Sequence, residues 1–271
     1  MEPNGLAAAK ENPMFSQSDG YERFMGRWSR RLAPLLVTFA AVDPGDVVLD
    51  VGCGTGALTF AVATIPSVQV TGVDPSATYV EYAKAHSRSR RVRFEVGDAR
   101  ALPRPDSSFD KTLSMLVLNF LPEPAAAVRE MIRVTRSGGV VAATVWDYGD
   151  GMEMLRAFWD EAVALAPDAA SLDEGRMPLA GRGELTALLR TQELADVEER
   201  PLGIDMTFAS FDDYWQPFLS GQGPAGVHAA SLSESDRQAL HVRLRDRLLG
   251  GGPDRGFTLA ARAWAARGTV T

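Results

Sequence analysis

The sequence predicts an α/β domain on a doubly wound, mostly parallel sheet. Two observations carry that prediction. Short β-branched runs alternate with segments of helical period along most of the chain. The first of those runs, over 47–51, drops into Gly52-Cys53-Gly54-Thr55-Gly56 and then into a helical pattern. A strand, a glycine turn and a helix N-terminus in that order suit a small, partly anionic ligand, because glycines let the ligand lie on the backbone and the first helical N–H groups point at it.

The elements follow in order. Residues 1–18 are polar, aperiodic and rich in Ala and Pro, and are expected to be disordered, which leaves a single domain over 19–271. A helix starts at Ser18 or Asp19, either of which can cap it. Its apolar positions, Tyr21, Phe24, Met25, Trp28, Leu32, Leu35, Leu36 and Phe39, fall at steps of three and four, and Pro34 should divide it in two. Asp43-Pro44-Gly45-Asp46 turns the chain into the first strand. Strands over 47–51, 68–73, 92–96, 111–116 and 140–146 then alternate with helices over about 57–64, 76–86 and 124–135, with right-handed crossovers. A helix over about 183–193 and two long strands, 195–208 and 256–267, complete a seven-stranded sheet. Two stretches, about 149–181 and 209–253, exceed ordinary connections and carry helical patterns of their own; both read as cap insertions over the carboxyl edge of the sheet.

Composition narrows the function. The 271 residues hold 28 Lys and Arg against 35 Asp and Glu, a net charge of -7, which argues against a nucleic-acid partner. The run Arg88, Arg90, Arg91, Arg93 therefore reads as a solvated turn. The N-terminus lacks the apolar run of a signal peptide, and no segment has the roughly 18 apolar residues of a membrane span. A cytoplasmic protein without a membrane partner, monomer or homodimer, is expected. Cys53 is the single cysteine, so an internal disulfide is impossible; its thiol reads as a small buried group.

The loop itself offers two readings. Gly52, Gly54 and Ala57 satisfy the G-x-G-x-x-A dinucleotide fingerprint. Three features favour another ligand: Asp50 just before the glycines, where a carboxylate suits a cation; the third glycine, Gly56; and Asp74 after the second strand, spaced to bond ribose hydroxyls. Through this D-x-G-x-G-x-G loop and the following acid, the chain resembles the class I S-adenosylmethionine-dependent methyltransferases of the type 11, quinone-biosynthesis-methyltransferase-like kind. The resemblance covers most of the chain from Tyr21 onward. It implies a Rossmann-like fold whose last two strands form the antiparallel edge, S-adenosyl-L-methionine as methyl donor and S-adenosyl-L-homocysteine as product. It further implies that the backbone of Gly52 and Gly54 lies against the methionine part, with Asp50 near the ammonium and Cys53 and Gly56 among the cofactor-binding positions of the loop. Asp74 would take both ribose hydroxyls, Pro75 the adenine edge, Asp98 the adenine amino group and Ala99 the ring through its N–H, while the backbone of Ser114 and Met115 would approach the sulfonium. Tyr21 or Arg27 would bind the carboxylate if the first helix closes over the site; otherwise its aromatic stripe is core and its arginines are solvated.

The acceptor side is less defined. Attack on a sulfonium methyl needs alignment above all, and a base only where a proton must leave. His86 sits at a helix C-terminus, His241 in an Arg-rich helix expected to be exposed, and His228 in the second insertion, within possible reach of the pocket. Relatives acting on quinones often carry Glu-His after the fourth strand; here Asn119-Phe120 stands there, which weakens a quinone assignment. Asp147 follows the fifth strand without a partner acid at Asn119, so no metal is expected. The candidates for catalysis are His228, Tyr148 and Asp147. Trp146, Tyr148, Trp159, Tyr214 and Trp215 either wall the pocket of a small-molecule methyl acceptor or pack the cap. The competing functions are an NAD(P)-dependent oxidoreductase, for which no Tyr-x-x-x-Lys is present, and a non-catalytic nucleotide binder of the same fold.

Overall fold

The structure, a computed structural model, describes residues 18–271; the N-terminal tail expected to be disordered lies, but for Ser18, outside the described residues. Seven strands form one sheet: β1 (Val47–Val51), β2 (Gln69–Asp74), β3 (Val92–Val96), β4 (Phe109–Met115), β5 (Thr135–Trp146), β6 (Ala195–Phe208) and β7 (Phe257–Thr269), in the order β3-β2-β1-β4-β5-β7-β6. The first five are parallel, and β1 is central, paired with β2 on one side and β4 on the other. Four of the five β1 residues are buried, as a strand covered on both faces requires. β7 runs antiparallel to β5 and to β6, and β6 is outermost. That outer strand carries Glu198, Glu199, Arg200 and Pro201 in sequence.

The helices are α1 (Ser18–Tyr21), α2 (Arg27–Phe39), α3 (Ala57–Val62), α4 (Ala77–His86), α5 (Pro124–Val134), α6 (Glu153–Leu165), α7 (Glu184–Thr191), α8 (Phe211–Trp215), α9 (Gly223–Ser231) and α10 (Glu234–Leu249). The stripe on α2 is core except at Leu35, which is exposed: Trp28, Leu32, Ala33 and Leu36 are all but inaccessible. Full burial of each large apolar side chain contributes on the order of 1.5–3 kcal/mol, which is why the stripe holds this helix to the domain.

Pro34 does not divide the helix. α2 continues through it to Phe39, because Pro34 and Arg30, whose carbonyl loses its donor, both lie on the exposed face where water can replace the bond. The irregularity lies upstream, where Glu22–Gly26 form a π turn between α1 and α2. β5 likewise begins before the predicted strand. Thr135 pairs with Phe109 and Val140 with Lys111, so Arg136, Ser137, Gly138 and Gly139 stand against Asp110 in a bulge. Gly138 has φ +76°, and a Cβ on Gly139 would come within 2.8 Å of the carbonyls of Asp110 and Arg136.

Between β5 and α7 lie α6 and two short 3-10 turns, Pro167–Ser171 and Glu174–Arg176; between β6 and β7 lie α8, the turn Gln216–Ser220, α9 and α10. α6 packs against both α9 and α10, joining the two long stretches through Phe158, whose ring stacks on Phe218 at 4.6 Å. Among the described residues no helix is long and apolar enough to cross a membrane.

Candidate active site

A cavity of about 370 Å³ opens at the carboxyl ends of β1, β2, β4 and β5. Its floor is the turn after β1. The N–H groups of Gly52 and Cys53 both donate to Val73 O, at 2.8 and 3.0 Å, and Gly56 N–H donates to Cys53 O. Glycine is required twice here for different reasons. Gly52 has φ +77°, and a Cβ on it would strike Val117 at 2.4 Å; Gly54 has φ +51°, and a Cβ on it would meet nothing within 4 Å. The second position therefore leaves bare backbone facing open space, a cradle for a ligand.

Two carboxylates flank that backbone. Asp74, at the end of β2, accepts from Gly54 N–H at 2.8 Å through Oδ2 and from Ser76 N–H at 2.9 Å through Oδ1, so one oxygen is held on the glycine loop and the other at the start of α4. Asp50 is 1% exposed. Its Oδ2 accepts from the Thr59 hydroxyl at 2.6 Å, while Oδ1 is buried without a partner. Burial pushes its pKa up to about 7, against the Thr59 bond that lowers it. An unpaired buried carboxylate oxygen at a cavity wall costs free energy that a bound cation would recover.

Pro75, Ala99 and Met115 also line the cavity. Asp98 lines it too, but its carboxylate is already clamped by Arg100, with contacts of 3.1 Å from Nε and 2.7 Å from the terminal nitrogen. That pairing holds its pKa below the ordinary range, and an adenine amino group would share the acid with Arg100. Cys53 contributes backbone to the wall, whereas its side chain packs with Val80, Ala83 and Phe94, and burial pushes its thiol well up. Tyr21 lines the cavity, its hydroxyl 3.1 Å from the Ser29 hydroxyl. Glu22 accepts from the Thr55 hydroxyl at 2.5 Å, latching the π turn to the glycine loop.

Several sequence-predicted residues are elsewhere. Arg27 does not reach the cavity: it pairs with Asp213 at 2.7 Å and lies over the Trp28 ring. Ser114 is buried in the sheet, donating to Val51 O at 3.0 Å, so its side chain ties β4 to β1. Gly56 starts α3 behind the loop, with Phe60 and Phe94 where its Cβ would stand. Asp147 is neutralised by Arg262 at 2.6 Å; burial raises its pKa, but the Arg262 bonds and the Asp150 N–H outweigh it and hold it low. His228 is buried against Trp159 at 5.5 Å and does not line the cavity; burial lowers its pKa. His241 is not exposed but half-buried between Phe211 and Trp215.

Of the aromatic set, Trp146 and Tyr148 line the cavity, and Trp159, Tyr214 and Trp215 pack the insertions instead. Tyr214 donates to Met154 O at 3.0 Å from a buried position. The wall that sequence reasoning missed includes Phe24, Tyr79, Leu155, Gly223 and Glu174. Glu174 is only 5% exposed; its Oε2 accepts from Trp159 Nε1–H at 2.8 Å, and burial pushes its pKa up to about 7. Nothing in its neighbourhood of sequence marks it, since it sits in a short 3-10 turn inside an insertion. Among the described residues no group of three or more His, Cys, Asp or Glu side chains is arranged to hold a metal ion.

Comparison with known proteins bears on the family and the fold. Residues 49–143 match the family model described as a methyltransferase domain. An uncharacterized protein of Mycobacterium tuberculosis is 28% identical over 222 residues, 78% of this chain and 79% of its own. The 27-O-demethylrifamycin SV methyltransferase of Amycolatopsis mediterranei is 37% identical over 116 residues, 41% of this chain and 43% of that one. The fold is shared with phosphoethanolamine N-methyltransferase 2 of Haemonchus contortus, solved in complex with S-adenosyl-L-methionine. The TM-score is 0.57 at 19% identity, over 94% of this chain and 57% of that chain.

Proposed function

We infer, from the premise that this chain belongs to the class I S-adenosylmethionine-dependent methyltransferases through its domain at 49–143, that it methylates an oxygen, nitrogen or carbon of a small organic molecule. The observation that carries this is the pairing of the bare backbone at Gly54 with two carboxylates, Asp74 bonded to its N–H and Asp50 with an unpartnered oxygen. When bound, S-adenosylmethionine supplies an activated methyl group on a sulfonium sulfur. The protein's residues bind, orient and exclude water, which suffices for much of the rate where displacement needs alignment.

In this reading Asp50 Oδ1 faces the ammonium and the Gly52–Gly54 backbone supports the methionine part. Asp74 accepts from the ribose hydroxyls, its carboxylate offering two acceptor oxygens to two donors. Pro75, Asp98 and Ala99 border the adenine, with Arg100 sharing Asp98. Tyr21 roofs the site and Met115 approaches the sulfonium. The stretches 149–181 and 209–253 cap one domain and supply the acceptor wall, with Trp146 and Tyr148 at its base. A cavity of about 370 Å³ supports a small acceptor over a macromolecular one.

Calorimetric titration with S-adenosylhomocysteine tests the reading. Binding is expected, and Asp74→Ala should weaken it by about 1.5–3 kcal/mol, as for hydrogen bonds to a charged group. Tight binding of NADH and none of the homocysteine nucleoside would overturn it.

A further inference from the structure

The wall contributed by the entry segment, the segment after β4, the end of β5 and the two insertions is mostly apolar: Phe24, Phe120, Trp146 and Leu155 all line it. Glu174 breaks that pattern. It is a buried carboxylate in the second half of the first long insertion, and it lines the same cavity. One oxygen, Oε2, is committed to Trp159 Nε1–H at 2.8 Å. The other lies 3.9 Å from where a Cβ on Gly223 would stand, a position kept bare beside it. A glutamate is rarely buried unless it has a use there or a compensating partner. One indole N–H compensates only in part.

The charged neighbours supply the rest only in part: the Arg156 charge favours ionised Glu174 through space, and the Asp173 charge opposes it. Arg156 pairs with Asp173 rather than with Glu174, and His228, across Trp159, is pushed toward its neutral form by burial. Tyr148, also on the cavity, has its hydroxyl pKa pushed far up by burial and by the nearby Glu174 charge, so it stays a neutral donor or relay. The segment after β4 supplies no acid, Asn119 being a buried neutral amide and Phe120 an apolar wall residue, which leaves Glu174 as the acidic side chain of the apolar wall.

We propose that Glu174 receives the proton of the methyl acceptor, and that the acceptor is an apolar molecule methylated at an O–H or N–H placed against Oε1. This rests on the methyltransferase reading above and adds the acceptor class to it. The acceptor's heteroatom lone pair forms the new bond to the methyl carbon as the carbon–sulfur pair returns to sulfur, and the heteroatom's proton passes to Glu174. The positive sulfonium and the negative carboxylate are neutralised together, which a water-poor site favours. Burial has already brought this carboxyl close to neutral pH, where a general base is most effective.

The test uses 4-butylphenol and its methyl ether, 4-butylanisole, titrated into the protein saturated with S-adenosylhomocysteine. The phenol should bind about tenfold or more tightly than the ether at pH 8, a preference that falls as the pH drops through neutrality and Glu174 protonates. Glu174→Gln keeps the volume and the bond from Trp159, and should abolish the preference and lower methyl transfer to the phenol by about a hundredfold or more, the usual scale of general-base loss. Trp159→Phe leaves the carboxylate but removes a bond that favours its ionised form, so the pH midpoint of phenol preference should move upward; this variant serves if the first does not fold. Equal binding of phenol and ether, binding of neither, or a preference that survives in Glu174→Gln overturns the proposal. Failure of the wild-type protein to take S-adenosylhomocysteine would instead overturn the methyltransferase reading.

Discussion

Gly52 and Gly54 stand two residues apart and should fail in different ways. Both have positive φ, but a Cβ on Gly52 collides with Val117 at 2.4 Å whereas one on Gly54 points into the cavity. Gly52→Ala is therefore expected to cost about 2–4 kcal/mol of stability, from backbone strain plus overpacking. Gly54→Ala should cost only about 1–2 kcal/mol of stability from its backbone, yet abolish nucleoside binding because the methyl occupies the cradle. Urea denaturation and calorimetry on the pair separate the two effects; equal losses in both measurements would contradict the assignment. These glycines, Asp50 and Asp74 were legible in sequence because all sit within or at fixed distance from one strand–turn–helix unit. Glu174 was not, because its burial depends on Trp159 and Gly223, brought to it from other elements. Arg27 was misplaced for the same reason: its partner Asp213 lies 186 residues away.

Among elements, the entry segment decides access. The π turn at Glu22–Gly26 puts Phe24 and Met25 on the cavity wall and Glu22 on Thr55 of the glycine loop. A π turn shifts side-chain register by one position, which is how a core-facing stripe can also present residues to a site. Glu22→Ala removes the bond to Thr55 and the ion pair to Arg30. S-adenosylhomocysteine should then bind more weakly by about 1 kcal/mol, chiefly through faster release in stopped-flow measurements; an unchanged release rate would show that the segment is only packing. The strands were readable from their β-branched runs, and so was the helix after the loop. The π turn was not, because its residues keep ordinary helical spacing. Pro34 misled because a proline's cost depends on which face it occupies, and only the folded helix shows that face.

At the scale of the molecule, two buried carboxyls set a pH response. Asp50 and Glu174 both have pKa values raised to about 7 by burial, so between about pH 4 and 7 the folded state holds protons that the unfolded chain has released. Stability from these groups is full below that window, falls as pH rises through it and levels off above the folded values. Asp147 and Asp173, held low by Arg262 and Arg156, act the other way, and their contribution is lost only at more acid pH. The melting temperature of the ligand-free protein should therefore drop from pH 5 to pH 7.5, and Asp50→Asn with Glu174→Gln should flatten that slope. A slope unchanged in the double variant would mean the general repulsion of a chain at net charge -7 sets it instead. The outer margin of the sheet carries a different consequence. A final strand spanning Ala195–Phe208 offers a long row of backbone groups to any passing copy. Pro201 withholds one donor from the strand, and the exposed Arg200 beside it keeps the rim wet. The ladder thus ends at its seventh rung by chemistry, and an enzyme with so extended a border can work at high concentration without zipping onto its neighbours.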